Sequence, residues 1–244
     1  MKRAKILVLE GTDGSGKDTQ CRRLQENLLE KGLKVKKFSF PVYDSATGRI
    51  VGGPYLGRTN MCESYFNESS SHVDPLVSVL YYAVDRRYNF LNEIEDEIYK
   101  NDVIILDRYT TSNMGHQVSK AKNQEEFDKI LKFIEVLEFD LCELPKPDLV
   151  VFLHMPYEAS VELRKDRTAV DGNEVDAIHL QNTEKTYLKL CEKYNWHYIN
   201  CIKTNNYEGL ASIKTIEEIS YEVIDAVNDK LKEESVDIEK MTRF

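Results

Sequence analysis

One stretch of the sequence carries residue types at a spacing suited to phosphate chemistry: Glu10-Gly11-Thr12-Asp13-Gly14-Ser15-Gly16-Lys17-Asp18-Thr19-Gln20. Gly11 and Gly16-Lys17 stand at the spacing of the phosphate-binding loop signature. Glycines let successive backbone N–H groups turn inward as a nest for an anion, and a following helix adds the positive end of its dipole. Lys17 then brings a point charge to the terminal phosphates of a nucleoside triphosphate, where negative charge shifts during transfer. Asp13, Gly14, Ser15, Gly16, Lys17, Asp18 and Thr19 are therefore the expected ATP-binding residues. A Gly-rich turn that merely caps a helix would use the same glycines, but it has no need of a lysine at that place.

One position departs from the signature. The Ser or Thr that should follow Lys17, and whose hydroxyl binds Mg²⁺, is Asp18. Three arrangements follow: Asp18 ligates the ion, Asp18 points away and leaves the ion to phosphate oxygens and water, or Thr19 supplies the hydroxyl. A second carboxylate, Asp107, ends the apolar run Val103-Ile104-Ile105-Leu106 and is followed by Arg108-Tyr109. A carboxylate at a strand end beside a phosphate loop can hold Mg²⁺ or its water shell. The neighbouring guanidinium can fork onto a phosphate in a way an ammonium cannot. The expected metal residues are thus Asp18, Thr19 and Asp107.

These residues need a scaffold, and the hydrophobic pattern describes one. Residues 5–10 read as a buried strand and 17–31 as a helix closed by Gly32. Residues 34–40 read as a second strand, ended by Pro41, and 43–71 as an irregular stretch with paired Gly52-Gly53. Asp74-Pro75 caps a helix whose apolar pattern runs to about residue 99. Strands at 103–107, 148–154 and 196–202 alternate with helices at 127–141, 156–167, 175–194 and 215–232. Short, all-apolar strands separated by helices imply a parallel sheet covered on both faces, with ligands at the carboxyl ends of its strands. The chemically unusual residues do follow strands. The expectation is an α/β, three-layer α/β/α fold with a five-stranded parallel sheet, all within one domain spanning 1–244.

Composition narrows the class. A chain of 244 residues with 41% hydrophobic content can bury a full core. Its net charge of −9 disfavours broad nucleic-acid binding, though not a mononucleotide held by a few local cations. The five cysteines are odd in number and irregular in spacing, which fits a reducing compartment rather than a disulfide framework or zinc site. No apolar run reaches membrane-spanning length, and the one after the basic N-terminus is too short for a signal peptide. A soluble, cytoplasmic protein is expected.

Residues 10–20 resemble the loop of the thymidylate kinase family, in which Glu, Asp, Gly-Lys and Thr-Gln recur at these offsets. Phe40-Pro41 resembles that family's Phe-Pro turn, and Tyr82-Ala83-Val84-Asp85-Arg86 its Phe-x-x-x-Arg segment. The run from Asp107 through Arg108, Tyr109 and Ser112 to Gln117 resembles its Asp-Arg-Tyr-x-x-Ser-x-x-Ala-Tyr-Gln pattern. The resemblance implies a P-loop kinase fold with a mobile lid, a homodimer, Mg²⁺, and transfer of the γ-phosphoryl group of ATP to dTMP. It implies that Tyr82 stacks on the pyrimidine, that Arg86 bonds the base edge, and that Arg108 grips the acceptor phosphate. Asp13 would sit where donor and acceptor meet; Phe40, Pro41, Ser112, His116 and Gln117 would complete the acceptor site. Gly115-His116 replaces the usual Ala-Tyr, so that side of the pocket differs. The Arg that many members carry after Phe-Pro is missing, with Val42 and Tyr43 in its place; Arg49 is a candidate substitute.

Transfer needs more positive charge than Lys17 and Mg²⁺ supply. The chain has Gly14 and Ser15 where some family members place an Arg in the loop. In such members a lid delivers the Arg, which makes Arg164 or Arg167, in a lid of about 164–175, the expected catalytic addition to Asp13, Lys17 and Arg108. Alternatives are a kinase for another deoxynucleotide or nucleoside, a P-loop switch or motor ATPase, and a nucleotide-binding protein without catalysis, the last prompted by Asp18.

Overall fold

The structure, a computed structural model, describes residues 3–165 and 176–241. Five strands form one parallel sheet: β1 (Lys5–Gly11), β2 (Val35–Ser39), β3 (Val103–Asp107), β4 (Leu149–His154) and β5 (His197–Asn200), in spatial order β2-β3-β1-β4-β5. Alternation along the strands feeds two cores. Leu7, Leu9, Ile105, Val151 and Leu153 face α1 (Lys17–Glu30) and α8 (Ile216–Met241), whose Leu24, Leu28, Val223 and Val227 are buried. Ile6, Val8, Ile104, Leu106 and Val150 face the other way, onto Phe90, Ile94 and Ile98. Burial on both faces explains the continuous apolar runs of the central strands β1, β3 and β4. The edge strands β2 and β5 are partly exposed and carry Lys36, Lys37, His197 and Asn200, so they are not the all-apolar strands expected.

β1 and β3 end side by side, with Leu9 opposite Asp107, so the phosphate loop and the Asp107-Arg108 pair emerge from neighbouring strands at the same edge. The Phe40–Pro41 peptide is cis, and the Phe40 N–H donates to the Asp107 carbonyl at 3.0 Å. Residues 43–71 are more ordered than the sequence suggests: they include the short helix α2 (Ala46–Ile50), capped by Ser45. The capped helix at Asp74 is α3 (Pro75–Asn89), its cap carboxylate accepting from Leu76 and Val77 N–H groups. A helix the pattern did not announce, α4 (Thr110–Val118), begins just after Arg108-Tyr109. α5 (Gln124–Glu135), α6 (Tyr157–Arg164) and α7 (Ala177–Tyr194) complete the layers. Among the described residues, no helix is long and apolar enough to cross a membrane.

Candidate active site

The phosphate loop is held by its own atoms and by β4. Gly14 and Gly16 have φ of 78° and 77°, left-handed values that a side chain would strain. The Ser15 hydroxyl donates to the Thr12 carbonyl at 2.7 Å, and the Thr12 hydroxyl donates to the Met155 carbonyl while accepting from the Met155 N–H. Lys17 is buried and folds back over the loop, its Nζ donating to the Gly11 and Thr12 carbonyls at 2.8 and 3.1 Å. Burial, helped by the Arg108 charge, lowers its pKa. A polyphosphate would replace those carbonyls with oxygens that carry full charge.

Asp13 joins this loop to a cavity. Its carboxylate lies 3.5 Å from the Arg108 guanidinium. Burial pushes its pKa up, but Lys17 and Arg108, with weaker help from His116 and Arg164, bring it down to about 2. Arg108 itself sits at φ 64°, a left-handed value unusual for a side-chain-bearing residue. Behind it, the buried carboxylate of Glu10 accepts from the Gly11 N–H and from the Thr111 and Ser112 hydroxyls, at 3.0, 2.9 and 2.6 Å. Glu10 thus ties the loop to the first turn of α4.

Beside the loop lies a cleft of about 620 Å³, a figure that includes its open mouth to solvent. Asp13 and Arg108 form the end nearest the loop; Phe40, Pro41 and Tyr43 form one wall. Tyr82 and Arg86 from α3, and Ser112, His116 and Gln117 from α4, form the others. Arg86 is fastened by a paired contact to Glu138, through Nε and through one terminal nitrogen at 2.8 Å, with both side chains buried. Its other terminal nitrogen makes no hydrogen bond among the described residues.

A protein-family model for thymidylate kinase matches residues 9–208. The chain belongs to the thymidylate kinase family. A thymidylate kinase of Prochlorococcus marinus is 28% identical over 221 residues, covering 91% of this chain and 94% of that protein. One from Schizosaccharomyces pombe is 26% identical, covering 97% of each. A probable thymidylate kinase of Saccharolobus solfataricus is 27% identical, covering 88% of this chain. A solved thymidylate kinase structure from Candida albicans superposes with a TM-score of 0.64 over 93% of this chain and 94% of that one, at 22% identity, and shares the fold. The reaction is ATP-dependent phosphorylation of dTMP to dTDP.

Around this cavity and the adjoining loop, the structure gathers most of the residues that the sequence singled out. Arg49 is not among them: it is exposed on α2 and stands off the cavity wall. Asp18 points to two cations, with Lys37 Nζ at 2.5 Å and Arg22 Nε at 3.1 Å, and those bonds lower its pKa. Thr19 is half-buried in the first turn of α1. Asp107 makes no side-chain hydrogen bond or ion pair among the described residues, and burial raises its pKa against the pull of Arg108, Lys17 and Lys37. Arg164 lies at the end of α6, its Nε on the Ser160 carbonyl at 3.2 Å, and its charge is felt at Asp13. Arg167 and most of the expected lid lie outside the described residues.

Sequence reasoning missed several members. Glu10 enters the sequence pattern only through the family resemblance, although a carboxylate ending an apolar strand is itself a signal. Tyr187, from α7, occupies the space beside Gly115: a Cβ there would lie 2.1 Å from the Tyr187 ring. The unusual glycine is thereby explained. His116, in the wall, and His179 behind it have ring centroids 5.7 Å apart and planes tilted by 31°. Burial lowers both pKa values, that of His179 to about 4, so both rings are neutral near pH 7. Glu138 and Tyr187 are too far along the chain from Arg86 and Gly115 for any spacing rule to find.

Proposed function

We infer that this chain carries out the thymidylate kinase reaction by pinning two anions on either side of Asp13. The observation that carries this reading is that Asp13 and Arg108 line the acceptor cavity while Asp13 is itself a phosphate-loop residue. ATP is held by the backbone of residues 13–19 and by Lys17; dTMP enters the cavity with its phosphate toward Arg108. Tyr82 packs on the thymine ring, and the uncommitted nitrogen of Arg86 donates to a base carbonyl. Ser112, His116 and Gln117 close the nucleoside side. An oxygen of the acceptor phosphate attacks the γ-phosphorus in line, the bond to the β,γ-bridging oxygen breaks, and ADP leaves. The ionised Asp13 holds Arg108 on the transferring group, and Arg164 adds charge from the α6 side, so positioning and neutralisation do most of the work.

Mg²⁺ fits the donor set at Asp107, whose half-buried carboxylate, without a side-chain partner among the described residues, would hold the ion's water shell, while the ion would neutralise β- and γ-phosphate oxygens. Asp18, engaged by Lys37 and Arg22, would stay outside that shell. A homodimer is supported by α3 and its continuation, where Val77, Leu80, Val84, Tyr88 and Leu91 are exposed at helical spacing. A cytoplasmic location is consistent with five free cysteines.

ADP release measured across dTMP, dUMP, dCMP, dGMP and thymidine tests the reading. Turnover should be highest with dTMP; ATP consumption that ignores the acceptor would overturn it.

A further inference from the structure

Arg86 and Arg108 both line the cavity, but their carboxylates stand differently. Asp13, the partner of Arg108, is itself part of the wall; Glu138, the partner of Arg86, lies fully buried outside it. A carboxylate in that place acts only through the side chains it holds. It holds two. Glu138 Oε2 accepts from Arg86 Nε, and Oε1 accepts from Arg86 Nη2 and from Asn113 Nδ2, each at 2.8 Å. Asn113 is also part of the wall, and its Nδ2 donates in addition to the Val79 carbonyl at 3.3 Å. The knot thus joins α3, α4 and the turn Val136–Leu141 that continues α5.

A grip on both Nε and Nη2 fixes the plane of the guanidinium and uses up one of its edges. Nη1 is left for the cavity, with no hydrogen bond among the described residues. Its N–H groups only donate, because a guanidinium has no acceptor. Held still, such a group reads the base. It bonds the 4-carbonyl of thymine or uracil, but meets the 4-amino group of cytosine N–H against N–H. Released, so long a side chain can swing aside and let a water bridge the misfit. A site whose buried donor is matched by one ligand and left unpaired by another discriminates strongly only while that donor stays in place.

We propose that Glu138 is a positioning residue for base selection: by holding Arg86 in one orientation, it makes the enzyme prefer a 4-oxo pyrimidine nucleotide over a 4-amino one. The proposal rests on the assignment of the cavity to the acceptor and of Arg86 to its base. It gives a use to a buried ion pair, an arrangement that by itself is weak evidence of a gain in stability.

Steady-state kinetics with dTMP and dCMP as acceptors, on the wild type, Glu138→Gln, Glu138→Asp and Arg86→Lys, test it. Glu138→Gln sets an amide N–H against the guanidinium. It should lower the ratio of kcat/KM for dTMP to that for dCMP about tenfold or more, through KM for dTMP, with KM for ATP unmoved. Glu138→Asp keeps the charge but is too short to hold Arg86 and Asn113 together, and should lower the ratio less. Parallel losses with both nucleotides would mean that Glu138 only holds the helices together, and unchanged kinetics would mean that it does nothing; either result overturns the proposal. Should Glu138→Gln fail to fold, the same ratio in Glu138→Asp decides. A wild type without preference for dTMP, or an unaltered ratio in Arg86→Lys, would bring down the base assignment and this inference with it. A ratio that collapses in Arg86→Lys and stands in both Glu138 variants would bring down this inference alone.

Discussion

The phosphate loop and the cavity we assign to the acceptor meet at Asp13 but are built differently, the loop mainly from near neighbours in sequence with one distant tie from Thr12 to Met155. Within the loop, Ser15 bonds Thr12, and Lys17 bonds Gly11 and Thr12, all within six residues of chain. The cavity wall leans on distant partners: Arg86 on Glu138, 52 residues away, and Gly115 on the Tyr187 ring from another helix. A local site can be rebuilt wherever a strand meets a helix. A dispersed one holds its shape only if several helices dock correctly, so substitutions far from substrate reach it.

The comparison can be broken most severely at the loop. Lys17→Ala should lower kcat at least about a hundredfold while the fold survives, checked by ADP release beside circular dichroism. On the cavity side, Gly115→Ala should cost about 1–3 kcal/mol of stability in urea unfolding, because its Cβ meets the Tyr187 ring at 2.1 Å. It should also raise KM for dTMP more than KM for ATP.

Acid should sharpen the same contrast. His179 lies beside His116 and feels the charges of Lys120, Asp176, Asp13 and His72, and burial foremost holds its folded pKa at about 4, below the ordinary 6.5. The unfolded chain therefore takes up the proton first, so stability is lost as pH falls from about 6.5 to about 4, by about 2 kcal/mol at pH 5 from this one group. His179→Gln should flatten that slope in denaturation curves recorded at pH 7 and pH 5. The smallest effect is expected at Asp18. With its carboxylate held by Lys37 and Arg22, Asp18→Thr should change kcat by no more than about twofold and leave the Mg²⁺ concentration for half-maximal rate unaltered.

The centre of the sheet was legible in the sequence because β1, β3 and β4 are buried along almost their whole length and read as apolar runs, while the edge strands β2 and β5 carry exposed polar residues. α4 was not legible, and its burial explains why. Thr110, Thr111, Asn113 and Gln117 are buried polar residues, so the helix lacks the apolar stripe by which an amphipathic helix is recognised. Its polar side serves the cavity instead. α2 is short and sits in a Gly-rich stretch, where a single Ser45 cap carries the signal. The phosphate loop could be read residue by residue, since its chemistry lies in consecutive backbone groups. Arg49, the nearest arginine after Phe40-Pro41 in sequence, is the replacement cation that spacing suggests, yet it is exposed on α2 and off the cavity wall, which no spacing reveals.

Arg108 adopts a backbone conformation better suited to glycine, at the junction where β3 turns into α4. Selection for heat resistance alone would therefore favour Gly at this position, relaxing the turn by about 1 kcal/mol while discarding the guanidinium. Durability and turnover pull this one residue in contrary directions, and a library screened without substrate would drift toward sturdy, inert variants.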